Sequence, residues 1–235
     1  MVKKRLITLL LLIVSTISLS SGSDVFYSAS TDAYTRYIHR GFQPAGNQPS
    51  LGLNFSAFVA DWNTNVSLWY VNSLSDISAY HEIGVMTGYY HYFSDRLIGS
   101  AGLTAYFYPN LPQSPLTSIE ASLTFADVGC VIPYFIESYF DMVLFSWYSR
   151  LTAGYTFDTF LPINLTLSGG INFLNYTRYG ISVPAGLSDL GLHLSTYISL
   201  KKWQITPKFS CIFTHNAIYN KPMLQASVNL AYSFF

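Results

Sequence analysis

The sequence predicts an all-β fold: a single-chain antiparallel transmembrane β-barrel of about 12 strands, with short periplasmic turns and longer extracellular loops. Three observations predict it. Only 10% of the 235 residues are charged, while 50% are hydrophobic and 17% aromatic, which is too little charge for a surface facing water on all sides. Beyond residue 23 no apolar run approaches the roughly 18 residues of a spanning helix. From Asp24 onward apolar residues recur instead with period two, as in a strand with one apolar and one polar face.

Residues 1–23 read as a cleaved secretion signal, with residues 24–235 forming the barrel. Lys3, Lys4 and Arg5 make a positive head, Leu6 to Val14 an apolar run, and Ser18 to Ser23 a small-residue cleavage region. Removing the three basic residues leaves 9 Lys+Arg against 12 Asp+Glu, a net charge of −3. That balance excludes a strongly basic nucleic-acid binder. Cys130 and Cys211 fall on lipid-facing series of non-adjacent strands and read as small apolar wall residues rather than a disulfide.

Alternation divides the chain into twelve segments: 25–37, 51–59, 62–70, 82–93, 97–108, 118–126, 128–138, 143–157, 162–174, 189–200, 203–214 and 223–235. The last is the clearest, with Leu224, Ala226, Val228, Leu230, Tyr232 and Phe234 alternating with Gln225, Ser227, Asn229, Ala231 and Ser233. When each outward series is chosen by apolar content alone, Asp32, Arg36, Glu82, Glu120, Glu137, Arg150 and Lys208 all fall on the inward one. A barrel needs this, because an Arg or Lys facing mid-bilayer costs about 2–4 kcal/mol. The outer loops then lie near 38–50, 71–81, 109–117, 139–142, 175–188 and 215–222, all but one longer than the inner turns. Outward aromatics at strand ends, such as Tyr27, Trp62, Tyr155, Trp203 and Tyr232, read as interfacial girdles. The terminal strand, ending Phe234 and Phe235, resembles the signal that bacterial assembly machinery reads on outer-membrane barrels.

The candidate site is therefore the inward row. Asp32, Arg36, Glu82, Glu120, Glu137, Arg150, His193 and Lys208 are the expected pore-lining residues, with acids on strands four to seven facing Arg150 and Lys208 across the lumen. Four acids against three bases, among many hydroxyl and amide groups, predict weak ion selectivity. Inward Tyr34, Trp69, Tyr90, Tyr106, Tyr148 and Tyr197 either fill volume or contact neutral solutes. No G-x-S-x-G element surrounds any of the five histidines, so no enzyme is expected; an enzyme would need His39 or His215 within about 3.2 Å of a Ser hydroxyl. His81 and His91 are too far apart along one strand for a metal site, and neither metal nor cofactor is expected.

The first half also carries ordered elements. These are Y-I-H-R-G from Tyr37 through Arg40 to Gly41, then Pro49, Leu51 and Gly52, then W-N-T-N-V from Trp62 through Asn65 to Val66. Glu82, Gly84 and Gly88-Tyr89 follow, then Tyr106-Phe107-Tyr108-Pro109 and Ser118-Ile119-Glu120. This order resembles the TorF-family porins of Gram-negative bacteria over residues 30–125, with Thr64 where that family usually has Ser, and Gly84 and Met86 where it often has Asp and Tyr. The resemblance implies an outer-membrane barrel and a pore, and no particular solute.

The expectation is a passive outer-membrane channel for small polar solutes. Its partners would be outer-membrane lipid and lipopolysaccharide, and the barrel-assembly machinery. The alternative is a non-conducting barrel acting through its outer loops, above all 38–50 and 175–188.

Overall fold

The computed structural model describes residues 24–40, 42–74, 80–109, 116–178, 181–214 and 222–234. The expected signal 1–23, Gly41, His215 and Phe235 lie outside the described residues.

Period-two segments become antiparallel strands, each bonded to its chain neighbour. They are β1 (Val25–Tyr34), β2 (Ser50–Val59), β3 (Thr64–Ser73), β4 (His81–Tyr92), β5 (Leu97–Phe107) and β6 (Leu116–Asp127). β7 (Tyr134–Asp141), β8 (Ser146–Phe157) and β9 (Ile163–Asn172) continue the wall. A small separate hairpin, β10 (Tyr176–Arg178) and β11 (Ile181–Val183), stands in the next loop. β12 (Gly186–Thr196) and its short extension β13 (Ile198–Leu200) form one wall position, followed by β14 (Trp203–Thr214) and β15 (Met223–Phe234). β15 pairs with β1, with Asn229 opposite Asp32, and the ring of twelve wall strands closes without an edge.

Closure decides the faces. The outward series holds Leu53, Phe55, Leu103, Leu123, Leu151, Leu167, Leu192, Leu194 and Leu224, each large apolar side chain well exposed. The inward series is hydroxyls, amides, glycines, aromatics and charges. This inversion of a soluble fold suits a barrel surrounded by lipid, where every backbone group must pair within the wall.

Several expected boundaries move. β7 begins at Tyr134, because Val128 to Pro133 form a turn at the inner end; Pro133 has no N–H to give a ladder, and Val131 is 87% exposed. That turn is longer than the outer connection 142–145 between β7 and β8, reversing the expected length rule at this hairpin. Cys130 therefore sits in an inner turn and not on the lipid face, whereas Cys211 does lie on the outward series of β14, opposite Leu192 and Leu224; both thiols are free. Trp62 belongs to the 3-10 turn Ala60–Trp62, which Asn63 ends at φ 47. β1 stops at Tyr34, so Arg36 and Tyr37 leave the wall.

Candidate functional site in the barrel lumen

The inner wall carries charge at two levels. Midway along it, Asp32 accepts a hydrogen bond from Asn229 at 2.8 Å. Lys208, opposite Ser195 and Ser227, is exposed to the lumen. His193 bridges three strands, with Nε2 3.0 Å from the Ser168 hydroxyl on β9 and Nδ1 2.8 Å from Ser210 on β14. Arg150 donates from Nε and a terminal nitrogen to Glu137 Oε2 at 2.8 and 2.6 Å, and the Tyr139 hydroxyl donates to the other carboxylate oxygen at 2.8 Å. The expected opposition of an acidic and a basic wall is corrected here: Glu137 and Arg150 are register partners on adjacent strands.

At the outer end the lumen is crossed by the chain itself. Residues 35–40 and 42–49, most of them in the outer loop expected at 38–50, fold inward. Paired backbone bonds between His39 and Phe42, with Arg40 at φ 50, make a tight turn that drives the Arg40 side chain into the barrel. Its two terminal nitrogens meet the two Glu120 oxygens at 2.6 and 2.7 Å, a planar fork on a planar carboxylate. The guanidinium also lies over Tyr139, 4.0 Å from the ring centre, and 5.4 Å from that of Tyr148. Phe42 packs on Val183, Ala45 joins a buried cluster with Val71, Tyr80, Tyr106 and Tyr108, and the Gln43 amide reaches the Met223 sulfur.

Glu82 and Glu120, expected to line an open path, are 1% and 0% exposed beneath this loop. Glu82 is held by Trp69 Nε1 at 2.8 Å, by the Tyr37 hydroxyl at 3.4 Å and by the Tyr80 hydroxyl. Burial first, and then the Glu82 charge, push the Tyr37 hydroxyl well above its ordinary range, so it stays a donor to that carboxylate. The inward Tyr106, together with Tyr80 and Tyr108, is buried in the cluster and fills volume.

Two acids escaped the sequence reading. Asp141 accepts from Ser118 at 2.6 Å and from the backbone N–H groups of Val143 and Leu144. Asp189 accepts from the Tyr148 hydroxyl at 3.2 Å. Both have inward parity; Asp141 lies beyond the segment expected at 128–138, whereas Asp189 opens the segment expected at 189–200 and its parity was legible there. In the sequence Arg40 reads as a loop element, with nothing local to say that it enters the lumen.

Inward glycines make room for the larger groups. A Cβ at Gly84 would run into the Trp69 indole, and one at Gly191 would lie 2.5 Å from His193 Nε2. These rings therefore lie flat along the wall. At the inner end Phe26, Ser28, Ser56, Phe58, Asn65 and Tyr90 surround an open recess of about 360 Å³. Asn65 thus belongs to the inner mouth. Trp62 sits at its rim, and His39 stacks on Tyr37 and meets the edge of Tyr106. Among the described residues no three metal-binding side chains gather.

No family model and no curated protein matches the sequence, so the TorF resemblance rests on the order of its motifs. Solved structures do match. A KdgM porin superposes with a TM-score of 0.60 at 12% identity, over 88% of this chain and 99% of that one. A NanC porin gives 0.60 at 9% identity over 88% and 99%. An outer-membrane channel from Pseudomonas putida F1 gives 0.53 at 9% identity over 92% and 97%. At these identities the likeness is one of fold: the chain is a closed twelve-stranded barrel of the kind found in the bacterial outer membrane.

Proposed function

We propose that the protein is a passive outer-membrane channel for small polar solutes with weak ion selectivity. The observation that carries this reading is the inversion of faces: an apolar outside, and a polar inside where Lys208 and the Arg150–Glu137 pair meet open lumen. Cations and anions are close to balanced along that path, with Asp32 and Glu137 against Lys208 and Arg150, and this supports weak selectivity. The porin fold of the matched structures supports the same reading.

Single-channel recording of the refolded chain tests it, beside a variant carrying Arg150→Ala and Lys208→Ala. Discrete current steps, with ion preference moving toward cations in the variant, are expected. A folded barrel without steps would contradict the reading.

That second outcome would favour a non-conducting barrel acting through its outer surface, for which the crossing of the mouth by residues 35–49 speaks. The aromatic end of β15, at Tyr232 and Phe234, is assigned to recognition by the barrel-assembly machinery. Phe234→Ala should slow insertion into proteoliposomes bearing that machinery, with folding into pure lipid unchanged; equal slowing in both would contradict the assignment.

A further inference from the structure

The loop that crosses the mouth is built unlike the wall around it. Its ends are fixed by backbone contacts: Gln225 donates to the Arg36 carbonyl at 2.8 Å, and Leu74 N–H donates to the Pro49 carbonyl at 2.8 Å. Between those points it adds no strand to the barrel. Its centre hangs on side chains, chiefly the Arg40 fork on Glu120, the stacking of Arg40 on Tyr139 and the seating of Phe42 on Val183. Arg40 and Glu120 side chains are 9% and 1% exposed, so a strong charge pair anchors the centre of the segment, beside the Tyr37–Glu82 and Gln43–Met223 contacts and the packing of Phe42 and Ala45.

Arg40 also enters an acidic neighbourhood. Glu82, Glu120, Asp141 and Asp189 all lie near the loop-bearing ends of their strands, and all are at most 5% exposed with the loop in place. Asp141 takes its described bonds from Ser118 on β6 and from Val143 and Leu144 in the β7–β8 connection, Asp189 from Tyr148 on β8, and Glu82 from Trp69 on β3 and Tyr80 just before β4 as well as from Tyr37; of these donors only Tyr37 belongs to the loop. Those carboxylates would therefore stay in position if the loop left. Arg40 is the cation that the loop docks on them, through its fork on Glu120; Arg36, the loop's other cation, stands at the β1 end.

We infer that residues 35–49 are a tethered blocker: Arg40 docked on Glu120 narrows the outer mouth and masks its carboxylates, and release of the loop gives a wider mouth that prefers cations. This inference rests on the channel reading and assigns Arg40 as the residue that sets bore and selectivity. A small guanidinium or ammonium ion is the class of solute that would compete with Arg40 for the carboxylates.

The test records conductance, and reversal potential under a salt gradient, for wild type, Arg40→Gln and the exchanged pair Arg40→Glu with Glu120→Arg. Folding is checked by heat-modifiable migration on gels. Arg40→Gln should raise conductance roughly threefold and move the reversal potential toward cations, because a ring of acids then lines the entrance. The exchanged pair should move both back toward wild type.

A second arm avoids the loss of a buried partner. Arg40→Cys with Glu120→Cys, in a chain with Cys130→Ser and Cys211→Ser, joined by a bis-methanethiosulfonate linker (each thiol forms a mixed disulfide and releases a sulfinate), should conduct little while linked and several-fold more after reduction. A folded Arg40→Gln barrel with wild-type conductance and reversal potential, together with a cross-link that changes nothing on reduction, would overturn the blocker and leave the channel standing. Absence of current from wild type and every variant would overturn the channel reading, and the blocker with it.

Discussion

Glu137 and Arg150 face one another across β7 and β8 and share a two-pronged contact of 2.8 and 2.6 Å, so the two charges cancel on one wall and set up no field across the lumen. Their side chains are 21% and 36% exposed, which opens the pair to lumen water. Removing either partner should therefore show in selectivity more than in stability. Glu137→Gln should shift the reversal potential toward anions, Arg150→Ala toward cations, and the double variant should return close to wild type. In a double-mutant cycle by urea unfolding the coupling should be about 1 kcal/mol or less, since water screens a pair this open. A coupling several times larger would mean that the pair is drier than the structure has it.

The Trp69 indole can lie across the wall only because residue 84 has no side chain. In Gly84→Ala the new methyl group must displace the ring, which also breaks the 2.8 Å bond from Trp69 Nε1 to Glu82. The expected loss is about 1–3 kcal/mol of stability, with a red-shifted Trp69 emission, as overpacking and a lost buried bond require. Gly169→Ala, whose methyl group would meet only the end of the exposed Leu190 side chain at 3.3 Å, should cost less than about 1 kcal/mol. Equal costs at both positions would remove the close-packing account.

Cys130 offers a pH-dependent probe of the inner turn. Its thiol donates to Asp127 at 3.2 Å, and that bond, followed by desolvation and the Asp127 charge, pushes the thiol above its ordinary range. The thiolate is the reactive form, so maleimide labelling near neutral pH should be slower than for a free thiol and should keep rising at alkaline pH. Asp127→Asn removes the charge and should speed labelling near neutrality. Cys211, on the lipid face, should resist water-soluble reagents throughout. Identical pH–rate profiles for wild type and Asp127→Asn would contradict the described contact.

Strand periodicity is a local property, and it was legible. The segments read at 82–93, 97–108 and 223–235 fall within a residue or two of β4, β5 and β15. Parity then placed Asp32, Glu82, Glu120, Glu137, Arg150, His193 and Lys208 on the inner face. The segment at 128–138 failed because Val128, Val131 and Ile132 mimic strand residues on an exposed turn, while Pro133 marked the true boundary. The inward fold of residues 35–49 was not legible, since it depends on Arg40 meeting a carboxylate 80 residues away. The available hint was compositional: Phe42 and Ala45 are apolar for an exposed loop, and both are buried.

The central claim, that the inward series lines a conducting path, is tested most directly by cysteine block during recording. In a chain with Cys130→Ser and Cys211→Ser, Lys208→Cys places a thiol on the inner wall, and Leu192→Cys places one on the outer face of the neighbouring strand. A charged, water-soluble methanethiosulfonate reagent should step the current down through Lys208→Cys and leave Leu192→Cys unchanged. Current that ignores the reagent at Lys208→Cys, or falls equally in both, would contradict the assignment of the lumen.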